Sequence, residues 1–161
     1  FSPSTVIKRV ALTNDAAPTN GQIPVGNGTD FTLAAITPGN NAVVVTNGSG
    51  SITIRLNNTP QTLTDGATIT WNVTNGYNAQ VTLGGANRTV NITNPVAGMT
   101  YQVVVIQDGT GNRTVSTWPA GTRWVSGTDP ILSTAANSRD IISLYYDGTL
   151  YYGNFGKNYL P

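Results

Sequence analysis

Apolar residues along this chain come in short runs that alternate with polar ones. The clearest is Ser51 to Leu56, where Ile52, Ile54 and Leu56 share one face and Thr53 and Arg55 the other. Alternation at a period of two is the signature of a half-buried strand. Further strands are predicted at Ile23–Val25, Phe31–Ile36 and Val43–Val45. Beyond these come Thr68–Val73, Gln80–Leu83, Thr89–Thr93, Tyr101–Gln107, Arg113–Thr117, Arg123–Val125, Asp140–Tyr146 and Leu150–Phe155. Turn signals such as Asp65-Gly66, Asn75-Gly76, Gly84-Gly85, Asp108-Gly109 and Asp147-Gly148 separate them. Short strands at this frequency predict an all-β chain. Residues 1–59 read as a leader followed by glycine-punctuated strands. Residues 60–161 read as an antiparallel β-sandwich of jelly-roll type.

The run Asp140 to Phe155 reads as a hairpin, because Asp-Gly between two β-rich runs suits a two-residue turn. That turn would set Leu144 opposite Tyr151 and Tyr145 opposite Leu150. Tyr145, Tyr146, Tyr151 and Tyr152 give the hairpin much ring area with hydroxyls at the rim. They either pack a sheet or form a recognition surface. Tyr101 to Ile106 is apolar on both faces, as in a strand buried on both sides or one at a subunit contact. Ser133 to Arg139 is the one plausible helical turn. Asn-Arg-Thr-Val occurs at 87–90 and again at 112–115, as two similar strand starts.

The N-terminal strands have little to bury. Ile52, Ile54 and Leu56 would each contribute about 1.5–3 kcal/mol on burial. Ordering the turns costs about 1–2 kcal/mol per residue, and an isolated strand pair is marginal in water. Copies wound about a common axis would share a core, with Ile52, Ile54 and Leu56 at the oligomer interface. The alternative is pairing with the sheet of the following domain. At the start of the chain, Val6, Val10 and Leu12 suggest an edge strand or extended leader, and residues 14–20 a linker.

Composition narrows the chemistry. Only 9% of the 161 residues are charged, with a formal net charge of +1. That is too little for a nucleic-acid footprint. No apolar run approaches the length of a membrane helix. The chain has neither His nor Cys, which removes thiol chemistry, His-dependent triads and His or Cys metal sites. All seven acidic residues are Asp. Asp65, Asp108 and Asp147 precede Gly and read as turn residues. Asp15, Asp30, Asp129 and Asp140 remain, at spacings that pair no two carboxylates for glycoside cleavage. The loop Asp108 to Asn112 reads as a turn, since a calcium loop needs more acidic ligands. No enzyme activity, metal or cofactor is expected.

Binding is the remaining class. Trp118 and Trp124 flank a Pro-Ala-Gly turn beside Arg123, and Tyr77 follows Asn75-Gly76. These residues, with Tyr146 and Tyr152, are the candidate ligand-binding set. Exposed rings beside Arg stack on sugars or aromatic partners, whereas buried ones would cap the sandwich.

Two regions resemble virion proteins of tailed bacteriophages. Asn-Gly-Gln-Ile-Pro-Val-Gly-Asn-Gly from residue 20, with Val-Thr-Asn-Gly-Ser-Gly-Ser-Ile-Thr-Ile ending at 54, resembles the glycine-punctuated modules of fibre shafts. Residues 87–158 resemble a C-terminal domain shared by many phage tail fibres, carried by the Trp-Pro-Ala-Gly segment and the closing tyrosine hairpin. The resemblance implies a homotrimeric structural protein of the particle. The expected job is that of a tail fibre or receptor-binding tip at the virion surface, contacting other virion proteins and a host glycan or protein. A head fibre or capsid decoration protein is the alternative, and a polysaccharide depolymerase a third class.

Overall fold

The computed structural model of the chain describes residues 19–29, 31–39, 43–57 and 59–160. The leader alternation at Val6, Val10 and Leu12, most of the 14–20 linker, Asp15 and Asp30 lie outside them. The described residues form two compact units that divide after Leu56.

The N-terminal unit is two antiparallel hairpins. β1 (Gln22–Gly26) pairs with β2 (Phe31–Ala35), and β3 (Val43–Gly48) pairs with β4 (Ser51–Leu56). Ser49 and Gly50 close the second hairpin, and Gly50 has φ 69°, a left-handed conformation that glycine adopts without steric cost. Register sets Val43 opposite Leu56 and Val45 opposite Ile54, so these four share one sheet face. That face is open: Ile54 is 58% exposed and Leu56 67%. Among the described residues of this unit only Gly21 is buried, under the Asn47 side chain.

The C-terminal unit has two layers. Its strands are β5 (Gln61–Thr62), β6 (Thr68–Asn72), β7 (Asn78–Leu83), β8 (Arg88–Thr93), β9 (Met99–Gln107), β10 (Val115–Thr117), β11 (Thr122–Trp124), β12 (Arg139–Tyr146) and β13 (Tyr151–Tyr159). One sheet has the order β11-β13-β12-β9-β7-β5 and the other β10-β8-β6. From β5 to β10 the chain alternates between the sheets. β5, β7 and β9 therefore stack in parallel in one layer, and β6, β8 and β10 in the other. The expected antiparallel pairing is present in β9-β12-β13 and both N-terminal hairpins. The parallel coil beside it is a departure from a purely antiparallel sandwich. Its physical basis is the winding: a chain that changes layer at every turn brings each strand back in the direction of the one before.

Alternation along the strands fills the space between the layers. Ile69, Trp71, Val90 and Ile92 from the small sheet meet Val81, Leu83, Val103, Val105, Ile142 and Leu144 from the large one. Trp71 packs edge-on against Tyr101 at 5.9 Å and joins the layers. The Tyr101 hydroxyl accepts from Val96 N at 2.6 Å and donates to Val96 O, which satisfies a polar tip at the core edge.

The two Asn-Arg-Thr-Val segments are neighbouring strand starts. Asn87 and Asn112 both adopt left-handed φ (58° and 59°), which Asn tolerates better than most side chains. Thr114 links them, accepting from Asn87 N at 2.8 Å. The arginine that follows is clamped by an aspartate in each case. Arg88 bonds Asp65 through Nε and Nη2, and Arg113 bonds Asp108 likewise.

Two local expectations are corrected. The β12–β13 hairpin sets Tyr146 opposite Tyr151 and Leu144 opposite Gly153, two residues away from the predicted register. Asp147 closes a four-residue loop instead of a two-residue turn: its Oδ1 accepts from Thr149 N and Leu150 N, each at 2.7 Å. A shift of two keeps every side chain on its own face. Residues 133–139 form no helical turn. Asn137 is left-handed there (φ 60°), and Ser133 is held instead by Asp140, whose carboxylate accepts from its N and Oγ at 2.6 and 2.7 Å.

Candidate functional site

The large sheet has one face on the core and one open. Cross-strand register arranges the open face in rows. One row runs Arg123, Tyr152, Tyr145, Thr100 across β11, β13, β12 and β9. The next runs Asn154, Ser143, Gln102, Asn78. An aromatic row thus lies beside a row of amides and a hydroxyl, on strands hydrogen-bonded to each other. The Tyr145 and Tyr152 rings lie 6.4 Å apart, inclined at 37°, and are 43% and 48% exposed.

The electrostatics of this row centre on Asp147. The N–H groups of Leu150 and Thr149 lower its pKa below the usual carboxylate value. Asp147 in turn faces the Tyr152 hydroxyl and holds its proton on, raising the phenol's pKa. Arg123 is exposed and forms no ion pair among the described residues. The row therefore presents two rings, one with its hydroxyl facing a carboxylate, and a cation with no ion pair among the described residues.

The structure sorts the sequence candidates by face. Arg123 and Tyr152 stand side by side on the open face. Trp124, one residue on, points inward and is 8% exposed. It lies over Gly153, with edge-on contacts to Trp118 at 5.3 Å and Phe155 at 6.2 Å. Trp118 is buried as well, its Nε1 without a hydrogen-bond partner among the described residues. Tyr146 is on the inner face, 4.6 Å from Tyr151, with its hydroxyl donating to Gly148 O at 2.7 Å. Tyr77 is half-buried, edge-on to Tyr101 at 5.8 Å. Tyr145 was missed. Its neighbour two residues back, Ser143, is polar where Ile142 and Leu144 are not, and that parity places Tyr145 outward.

The acidic residues are dispersed. Asp140 is buried, and its carboxylate accepts from Ser133 N, Ser133 Oγ and Asn158 N. Asp108 accepts from Thr110 N, Gly111 N and Arg113; its loop is no tight turn between paired strands but crosses from β9 in the large sheet to β10 in the small one. The Arg113 guanidinium holds the Asp108 pKa down at about 2. Asp129 is exposed and borders adjoining grooves of about 200, 250 and 360 Å³, as the one carboxylate among their lining residues.

Comparison with known proteins adds one match. A family model described as "Putative phage tail fibre C-terminal domain" matches residues 59–151, from just before β5 to the first residue of β13. No curated protein and no solved structure matches the chain.

Proposed function

This chain belongs to the phage tail fibre C-terminal domain family and is a structural component of a phage virion, and from that premise we propose that it is the trimeric, receptor-binding end of a tail fibre, attaching the particle to the host surface. The observation that carries attachment is the solvent-facing row of Arg123, Tyr152 and Tyr145 beside Asn154, Ser143, Gln102 and Asn78. Rings stack on the apolar faces of sugars, and amides and hydroxyls pair with sugar hydroxyls. A rigid sheet holds both without an ordering cost on binding. The ligand is a glycan of the bacterial surface, bound weakly at each site and strengthened by repetition around the trimer.

Self-association is supported by the N-terminal unit, whose strand faces end in exposed Ile54 and Leu56. Three copies of that apolar strip give it a common core; the number three follows the resemblance to fibre shafts. A binding role is also supported by the acids. Asp140 is committed to three hydrogen bonds, and the grooves at Asp129 bring up no second carboxylate.

The test is adhesion of labelled protein to a panel of bacterial strains, before and after periodate oxidation of their surface glycans. Adhesion to at least one strain is expected, lost on oxidation and lost in the double variant Tyr145→Ala, Tyr152→Ala. Adhesion that survives both treatments contradicts the assignment of the ligand and of the face.

A further inference from the structure

We infer that the open face selects an anionic saccharide and that Arg123 is the residue that reads its charge. The inference rests on the glycan-binding reading of this face and adds the class of glycan.

The arginines of the C-terminal unit differ in their partners: Arg88 and Arg113 are ion-paired, while Arg123 and Arg139 have no ion pair among the described residues, and of those two Arg123 is the one in register with Tyr152. Arg88 and Arg113 are each neutralised by an aspartate through two nitrogens, in partly buried pairs that pin a loop to a strand start. Arg123 has no such partner among the described residues, and its guanidinium is open to solvent. Asp147, the carboxylate that acts on the neighbouring Tyr152, accepts from Thr149 N and Leu150 N. Asp147 forms no ion pair with Arg123 among the described residues.

Arg123 is also firmly mounted. Its strand β11 pairs in parallel with β13, and the next residue, Trp124, is anchored between Trp118, Phe155 and Gly153. Neighbouring strands lie about 4.8 Å apart, so Arg123 to Tyr145 spans roughly 10 Å. That is room for a short saccharide with a sugar on the rings and an acidic substituent at the guanidinium. The planar fork of Arg matches a carboxylate or a phosphate ester through two parallel hydrogen bonds. Both substituents present the same oxyanion chemistry, and separate probes tell them apart.

The experiment measures binding of the full chain to four immobilised probes: oligogalacturonate, carboxyl-reduced oligogalacturonate, a phosphorylated mannan, and the same mannan after phosphatase. The wild type is compared with Arg123→Gln, Arg123→Lys and the Tyr145→Ala, Tyr152→Ala double variant, each first checked for an unchanged melting temperature. The wild type is expected to bind one acidic probe roughly tenfold or more tighter than its neutral counterpart. Arg123→Gln should erase that preference, Arg123→Lys should keep part of it, and the tyrosine variant should lose acidic and neutral binding alike. Equal binding to acidic and neutral probes that still depends on the tyrosines overturns charge selection and leaves the glycan face standing. Binding indifferent to both Arg123 and the tyrosines, or no binding to any probe, overturns both.

Discussion

A methyl group at Gly153 would stand 2.4 Å from the Trp124 ring. That glycine lies inside a strand, where glycine is otherwise a liability, and is there because an indole covers it. Gly153→Ala is expected to destabilise the fold by about 1–3 kcal/mol through displacement of Trp124, read as a lower denaturant midpoint. A neutral result would mean that the ring relocates freely. Asp140→Ala leaves three donors behind, two on Ser133 and one on Asn158. A loss of at least 1–3 kcal/mol is expected by the same measurement, about the cost of unsatisfied buried groups. Burial pushes the Tyr151 hydroxyl up to about 12, from an ordinary value of 10.0. The folded state thus holds this proton more tightly than the unfolded chain. Stability is complete below pH 10 and falls as pH rises toward about 12, and Tyr151→Phe should flatten that fall in an alkaline melting series. At this scale the sequence showed which residue types were available but not always which way they faced. Tyr146 is a sequence candidate and Tyr145 is not, yet Tyr145 is the exposed ring: a run of Leu-Tyr-Tyr carries no alternation of its own, and only Ser143 marks the parity.

Among the elements, strand positions were legible and pairing only in part. Asp-Gly and Asn-Gly signals mark where a strand ends, and the β12–β13 hairpin lies where Asp147-Gly148 predicts it. Its register was misjudged because Asp147 accepts two backbone N–H groups and lengthens the loop to four residues. The parallel stacking of β5, β7 and β9, and of β6, β8 and β10, could not be read, since local turn chemistry does not say which distant strand will be the neighbour. The repeated Asn-Arg-Thr-Val was the available clue: both copies start adjacent parallel strands, each with a clamped arginine. The second clamp has an acid signature. Asp108 titrates at about 2, below its ordinary 3.8. Its contribution is present above pH 3.8 and is lost as pH falls through about 2. Asp108→Asn should remove that segment of the acid-unfolding profile, and an unchanged profile would show that the clamp adds nothing to folding.

Across the whole molecule, the two units differ in what they bury. Residues from Leu63 onward enclose a core of their own. The described residues up to Leu56 bury a single glycine and leave Val25, Phe31, Ile54 and Leu56 exposed. Sequence reasoning reached this imbalance from the small apolar content of β4 and its short neighbours, while the open face of the large sheet emerged only with the strand order. The proposed function gives the N-terminal unit a core shared with other copies of the chain and the C-terminal unit a rigid polar and aromatic surface repeated in each copy. Replacing Ile54 and Leu56 with Asn should dissociate the assembly without lowering the melting temperature of the C-terminal unit. The most direct measurement is the mass of the intact protein in solution by light scattering, at micromolar concentration. The account predicts three times the 16.9 kDa of one chain, and a stable particle of one chain's mass would contradict it.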